Sequence, residues 1–176
     1  MDHGLIIFDA DGTLRYCSVE GQPCPNRDGE WELYPGVAEK LSEFEWRGPG
    51  EDGGTGYGIA SNQGGVGAGY FSLDTARELL EDTFRRAFGF DPAPGTVQLC
   101  PHHPRSGCGC RKPSPLMINR IIDLYGLEPR EVLFVGDSED DRAAADNAGC
   151  DFQWANRFFR RESEGSHPEN IEPERP

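Results

Sequence analysis

The sequence predicts an α/β protein built on a doubly wound parallel sheet. Three features carry that expectation. Short continuous apolar runs recur along the chain, helical patterns lie between them, and several runs end in Asp, Ser or Gly, where a buried strand gives way to a loop. Strands and helices alternating at this spacing place helices on both faces of the sheet, and a ligand then binds outside the carboxyl ends of the strands.

Leu5 to Phe8 is the first strand, stopped by Asp9-Ala10-Asp11-Gly12-Thr13. Alternate residues of an extended chain point the same way, so Asp9 and Asp11 converge on one spot while Gly12 lets the chain turn. Arg15 to Tyr34, rich in Gly, Pro, Asn and charge, reads as a loop overhanging that strand end. Pro35 to Trp46 is helical, with Pro at a favourable start and Val37, Leu41 and Phe44 at helical spacing. Gly48 to Gly56 is a flexible connection. Tyr57 to Ala60 forms a second strand ending at Ser61-Asn62, followed by a Gly-rich turn from Gln63 to Gly69.

Leu73 to Phe88 is an amphipathic helix with Leu79, Leu80, Phe84 and Phe88 on one side. Thr96 to Cys100 is the third strand, and Ser114-Pro115 opens a helix to about Tyr125. Val132 to Val135 is the fourth strand, ending at Gly136-Asp137; Ser138 to Ala148 is a helix and Asp151 to Ala155 a fifth strand. Residues 1–159 are expected to form one domain, and the acidic, proline-bearing residues 160–176 a flexible tail.

With 176 residues, 36% hydrophobic, the chain is long enough for one core, and its net charge of −14 leaves no broad basic face for nucleic acid or an anionic membrane. No segment approaches the roughly 18 apolar residues of a membrane span, and the amino terminus lacks the features of a secretory signal. A cytoplasmic protein, with a monomer favoured, is the expectation. In that setting six cysteines point to metal rather than disulfides. Cys100 and His102 make one close pair and Cys108 and Cys110 another; three thiolates and one imidazole suit a closed, structural Zn²⁺ site. On spacing alone His103 could replace His102. Cys17 and Cys24 read as unpaired loop cysteines and Cys150 as core.

Two carboxylates as close as Asp9 and Asp11 need a cation or a shared proton between them. Asp137, at another strand end, adds a third, and such an oxygen-rich pocket suits Mg²⁺. Lys112 is one of only two lysines, and it follows Arg111 directly after the cysteine cluster, which would hold both cations in fixed places. Arg111 offers phosphate a bidentate fork and Lys112 a compact charge. Asp141 falls about one helical turn beyond Asp137, whereas Glu139 and Asp140 read as ordinary helix-dipole partners.

In this order, Asp9-x-Asp11-Gly12-Thr13, a strand ending at Ser61, Lys112 and Gly136-Asp137-x-x-x-Asp141 resemble the haloacid dehalogenase superfamily of aspartate-nucleophile phosphohydrolases, over about Leu5 to Ala155. Ser61-Asn62-Gln63, Gly69-Tyr70-Phe71 and Cys110-Arg111-Lys112-Pro113 look like its branch of D-glycero-D-manno-heptose 1,7-bisphosphate phosphatases and histidinol-phosphate phosphatases. The resemblance implies a Rossmann-like core with a minimal cap and a zinc-binding loop. It implies a Mg²⁺-dependent phosphomonoesterase for a small phosphorylated metabolite, with a sugar phosphate preferred.

By the same resemblance, Asp9 is the nucleophile and Asp11 the general acid, then base. Mg²⁺ is held by the carboxylates of Asp9 and Asp137 and the main-chain carbonyl of Asp11. Ser61 and Asn62 hydrogen-bond the transferring phosphoryl group, and Lys112 offsets its charge. Asp141 orients Lys112 or a metal-bound water, and Arg111 touches the substrate beyond the reacting phosphate. Ala10 and Ala68 depart from the branch, standing where the heptose enzymes commonly carry Arg. Three alternatives stand beside this reading: a histidinol-phosphate phosphatase, a polynucleotide 3′-phosphatase, and a catalytically inactive zinc-stabilised binding module. The cysteine cluster and acidic balance speak against the second, and retention of every reacting residue against the third.

Overall fold

The structure is a computed structural model that describes residues 3–161. In chain order its elements are β1 (Leu5–Phe8), β2 (Arg15–Cys17), β3 (Trp31–Leu33), α1 (Val37–Leu41), β4 (Trp46–Arg47), β5 (Thr55–Asn62), α2 (Gly64–Gly67), α3 (Leu73–Phe88), β6 (Val97–Cys100), α4 (Leu116–Tyr125), β7 (Val132–Gly136), α5 (Glu139–Ala148), β8 (Asp151–Trp154) and α6 (Ala155–Phe158). The main sheet runs β4-β5-β1-β7-β8, with β6 also pairing β5, and every pairing in it is parallel.

All four residues of β1 are buried, as an apolar strand at the centre of a two-faced sheet must be. Its side chains alternate between two cores. Ile6 and Phe8, with Ile59, Leu133 and Val135, pack against Val37, Leu80, Phe84 and Phe158 of α1, α3 and α6. Leu5 and Ile7, with Val132 and Phe134, pack against Ile118, Ile121 and Ala144 of α4 and α5. A Cβ at Gly58 would stand 2.8 Å from Ile121, so that glycine lets α4 lie directly on β5.

Four stretches differ from the sequence expectation. Arg15 to Tyr34 is not a plain loop: β2 and β3 form an antiparallel hairpin, anchored because Arg15 and Trp31 turn inward and are buried. Only α1 forms between Pro35 and Trp46, because the Trp46 indole donates to the Leu41 carbonyl at 2.8 Å and the chain then enters the sheet. β5 is longer than Tyr57 to Ala60, reaching Thr55 and Asn62 through pairing with β4 and β6. The glycine-rich turn contains α2, and the Phe71 ring lies against Gly65, where a Cβ would meet it at 2.3 Å.

The chain does not leave the molecule at residue 160. Arg161 is half-buried, donates to the Thr13 carbonyl and lies 4.1 Å from the Tyr34 ring centroid. Of the expected tail, residues 162–176 lie outside the described residues. No helix among the described residues is long and apolar enough to cross a membrane.

Candidate active site

The carboxyl ends of β1, β5 and β7 deliver Asp9, Ser61 and Asp137 to one side of the sheet, and the loop after β6 brings Lys112 between them. Lys112 is 3% exposed. Its Nζ donates to Asp9 Oδ1 at 2.6 Å and to the Ala60 carbonyl at 2.8 Å, and it pairs with Asp141 Oδ1 at 2.6 Å. Burial opposes the ammonium charge, but Asp9 and Asp141 outweigh it and raise the Lys112 pKa.

Asp141 reaches this position through the start of α5. Its Oδ2 accepts from Ser138 N at 3.0 Å and Ser138 Oγ at 2.7 Å, while Ser138 Oγ accepts from Asp141 N at 3.2 Å. That reciprocal capping box fixes the carboxylate and leaves Oδ1 for Lys112. A Cβ at Gly136 would lie 2.4 Å from that of Asp141, so only glycine fits at the end of β7.

One oxygen each from Asp9, Asp137 and Asp141 lies within 4.8 Å of the others. Burial pushes Asp9 up to about 7 against the pull of Lys112, with Asp141, Asp137 and Asp11 adding to the rise; burial and Asp141 likewise raise Asp137. Lys112 alone therefore does not balance the charge. With Asp141 committed to Ser138 and Lys112, the carboxylates of Asp9 and Asp137, with repulsion left over, are hard oxygen donors that fit a divalent cation such as Mg²⁺. Thr13 Oγ1 holds Asp137 by donating to Oδ1 at 3.1 Å.

Asp11 is turned differently. Its carboxylate faces Arg15, which donates from Nε to Oδ1 at 2.8 Å and from Nη2 to Oδ2 at 3.4 Å. Gln63 Nε2 donates to the same Oδ2 at 2.7 Å and to Ser61 Oγ at 3.0 Å, tying the two residues together. Asn62 directs its side-chain amide at the main chain of Lys112. Arg111 lies beside Gly64, and its Nη1 has no hydrogen-bond partner in the protein.

Cys100, His102, Cys108 and Cys110 gather just upstream, with S–S and S–N distances from 3.2 to 3.8 Å. A tetrahedral Zn²⁺ with ordinary Zn–S and Zn–N bonds has ligand–ligand edges of about 3.6 to 3.8 Å, so the donors fit that ion. Burial pushes the Cys100 thiol up to about 12, and a cation is needed to hold thiolate there. His102 is the imidazole in this cluster; His103 Nδ1 instead accepts from Arg105 N at 3.1 Å. All six cysteines are free of disulfides, and Cys150 is buried.

The two departures from the family pattern differ in position. Ala10 has no exposed surface and sits in the core with Leu14 and Val37, so it faces away from any ligand, whereas Ala68 is exposed. Arg15, Gln63, Thr13 and Arg161 were not among the site residues read from sequence. Gln63 stood in the Ser61-Asn62-Gln63 run, and Arg15 in a stretch whose hairpin was not foreseen; nothing local marked Arg161.

The parallel sheet, its strand-end carboxylates and the buried lysine define a phosphatase of the haloacid dehalogenase-like hydrolases. A family model described as HAD-hydrolase-like matches residues 109–169. The chain is 30% identical over 154 residues to the D-glycero-beta-D-manno-heptose-1,7-bisphosphate 7-phosphatase of Pseudomonas aeruginosa, covering 85% of this chain and 79% of that protein. The enzyme of the same name from Bordetella bronchiseptica is 32% identical over 149 residues, covering 83% and 76%. A crystal structure of the B. bronchiseptica heptose bisphosphate phosphatase with magnesium and phosphate superposes with a TM-score of 0.67 at 28% identity, over 90% of this chain and 87% of that one. The chain belongs to the family of these heptose bisphosphate phosphatases.

Proposed function

We propose that the protein is a Mg²⁺-dependent phosphomonoesterase that cleaves a small sugar phosphate through an aspartyl-phosphate on Asp9. The observation that carries this reading is the buried Asp9 carboxylate, paired with Lys112 at 2.6 Å and set beside Asp137. Mg²⁺, held by the carboxylates of Asp9 and Asp137 and the Asp11 carbonyl, supplies charge neutralisation for the phosphoryl oxygens.

An Asp9 oxygen attacks phosphorus, the bond to the sugar oxygen breaks, and Asp11 gives that oxygen its proton. Lys112 and the Ser61 hydroxyl offset the charge on the group in flight. Asp11, now a carboxylate, takes a proton from water as that water attacks phosphorus. The bond to Asp9 then breaks and inorganic phosphate leaves. Asn62 serves this chemistry through Lys112, since its amide already grips the lysine main chain.

Arg111 meets the rest of the substrate, a role supported by its place beside Lys112 and Gly64 and by its bidentate guanidinium. The relatives named for a heptose bisphosphate support a phosphorylated sugar as the substrate. With Ala68 in place of a cation, a second phosphate contributes little. The cysteine and histidine cluster binds one structural Zn²⁺ and stiffens the approach to Arg111 and Lys112. Phosphate release from a panel of sugar mono- and bisphosphates, histidinol phosphate and a 3′-phosphorylated oligonucleotide, with and without Mg²⁺, tests the proposal. Mg²⁺-dependent turnover led by sugar phosphates is expected, and a preference for the oligonucleotide or no turnover at all overturns it.

A further inference from the structure

We infer that Arg15 is a positioning residue that sets the orientation of Asp11 and couples it to helix α3. The inference rests on the proposed acid–base role of Asp11. Arg15 has no exposed surface, so no substrate reaches it, and whatever it does for catalysis it does through a neighbour. Every nitrogen of its guanidinium is engaged. Nε and Nη2 hold the two oxygens of Asp11, at 2.8 and 3.4 Å, while Nη1 donates to the Leu79 carbonyl at 3.0 Å and to Thr83 Oγ1 at 2.9 Å. Thr83 Oγ1 in turn donates to Leu79 O at 2.7 Å, so its proton is committed and its lone pair faces the arginine.

A buried guanidinium is costly to keep, and an apolar side chain of similar volume would fill the same space with no desolvation cost. The expense is concentrated on a carboxylate that remains 18% exposed at the edge of the site. Gln63 holds Asp11 from the other side, so the carboxylate is gripped at both oxygens and cannot turn freely about its χ angles. A group that must give and then take a proton at one place gains from that restriction. The Trp31 ring, with its centroid 5.5 Å from the Arg15 guanidinium carbon, closes the remaining face. The β2–β3 hairpin, α3 and the general acid–base thus meet at one side chain.

The test is a double-mutant cycle read as kcat and KM with 4-nitrophenyl phosphate and glycerol 2-phosphate. Arg15→Met is expected to lower kcat roughly 10- to 100-fold with KM changed less than about twofold. The loss should be larger with glycerol 2-phosphate, whose alkoxide needs the proton more than 4-nitrophenolate does. Arg15→Lys should restore part of it. In the Asp11→Asn background Arg15→Met should cost nothing further, because the residue it positions has already lost its function. Thr83→Val, an isosteric change on α3, carries the same cycle if Arg15→Met does not fold: a few-fold loss of kcat beside Asp11, and none in the Asp11→Asn background. Equal losses in both backgrounds would overturn the inference alone, and unchanged kcat in Arg15→Met or, failing its folding, in Thr83→Val would do the same. Full activity in Asp11→Asn would overturn the acid–base reading itself and the inference with it.

Discussion

Asn62 holds the peptide of Lys112 from both sides: Oδ1 accepts from Lys112 N at 3.0 Å and Nδ2 donates to Lys112 O at 3.3 Å. The two residues are 50 positions apart, one ending β5 and the other following the cysteine cluster. The pair therefore fixes where the ammonium enters the site, and a catalytic cation is useful only if its position is set in advance.

Asn62→Ala removes both bonds and should destabilise the protein by about 1–3 kcal/mol, two hydrogen bonds at ordinary net worth. Because it also loosens Lys112, kcat should fall by about tenfold or more while KM moves little. Thermal unfolding and steady-state kinetics on the same preparation check this. Wild-type kcat in Asn62→Ala would mean that the clamp does not matter to Lys112.

Gly12 has φ +85°, and a Cβ there would lie 2.2 Å from Asp137 Oδ2. Gly12→Ala should consequently push Asp137 out of line, on top of the strain of a left-handed alanine, roughly 1–2 kcal/mol. Activity titrated with Mg²⁺ should require a markedly higher concentration than the wild type needs. An unchanged Mg²⁺ titration would argue against Asp137 as a ligand.

Metal analysis of purified protein should find about one zinc per chain, retained through removal of Mg²⁺ by a weak chelator. Cys108→Ser or Cys110→Ser should lower zinc content and Tm together, and reduce kcat by displacing Arg111 and Lys112. Chelation of Mg²⁺ alone should abolish activity reversibly without lowering Tm to the same extent. Protein that holds no zinc yet has unaltered stability and rate contradicts the structural-zinc assignment.

Arg111→Ala should raise KM more than it lowers kcat, the mark of binding that is uniform between ground and transition states. A charge-assisted hydrogen bond to phosphate is worth roughly 1.5 to 3 kcal/mol, on the order of ten- to a hundredfold in affinity. With Ala68 exposed where a cation would stand and Ala10 turned to the core, a heptose bisphosphate should not exceed a sugar monophosphate by a hundredfold in kcat/KM. A preference of that size would show that another cation reaches the second phosphate.

Much of this was legible in the sequence where local pattern and tertiary role coincide. Leu5–Phe8 and Leu73–Phe88 carry their own periodicity, and the helix is closed by Ser72, which accepts from Thr75 N, and by Gly89 in the left-handed region. The strand-end acids followed from the strands. The β2–β3 hairpin did not, because its two strands are three residues each and are held by Arg15 and Trp31, a charged and an aromatic residue that no apolar alternation announces. The partners of Asp11 were hidden for the same reason: Arg15 opens a stretch that reads as a loop, and its role shows only once α3 is seen to receive it. Ala10 misled in the opposite sense, since its neighbours Asp9 and Asp11 face the site and it alternates into the core.

The most direct test of the account is to quench a reaction with sugar phosphate in acid within one turnover and map any phosphorylated peptide by mass spectrometry. The mechanism predicts one phosphoryl group on the peptide containing Asp9, absent in Asp9→Asn. A phosphoryl group on another residue, or sustained turnover by Asp9→Asn, would contradict it.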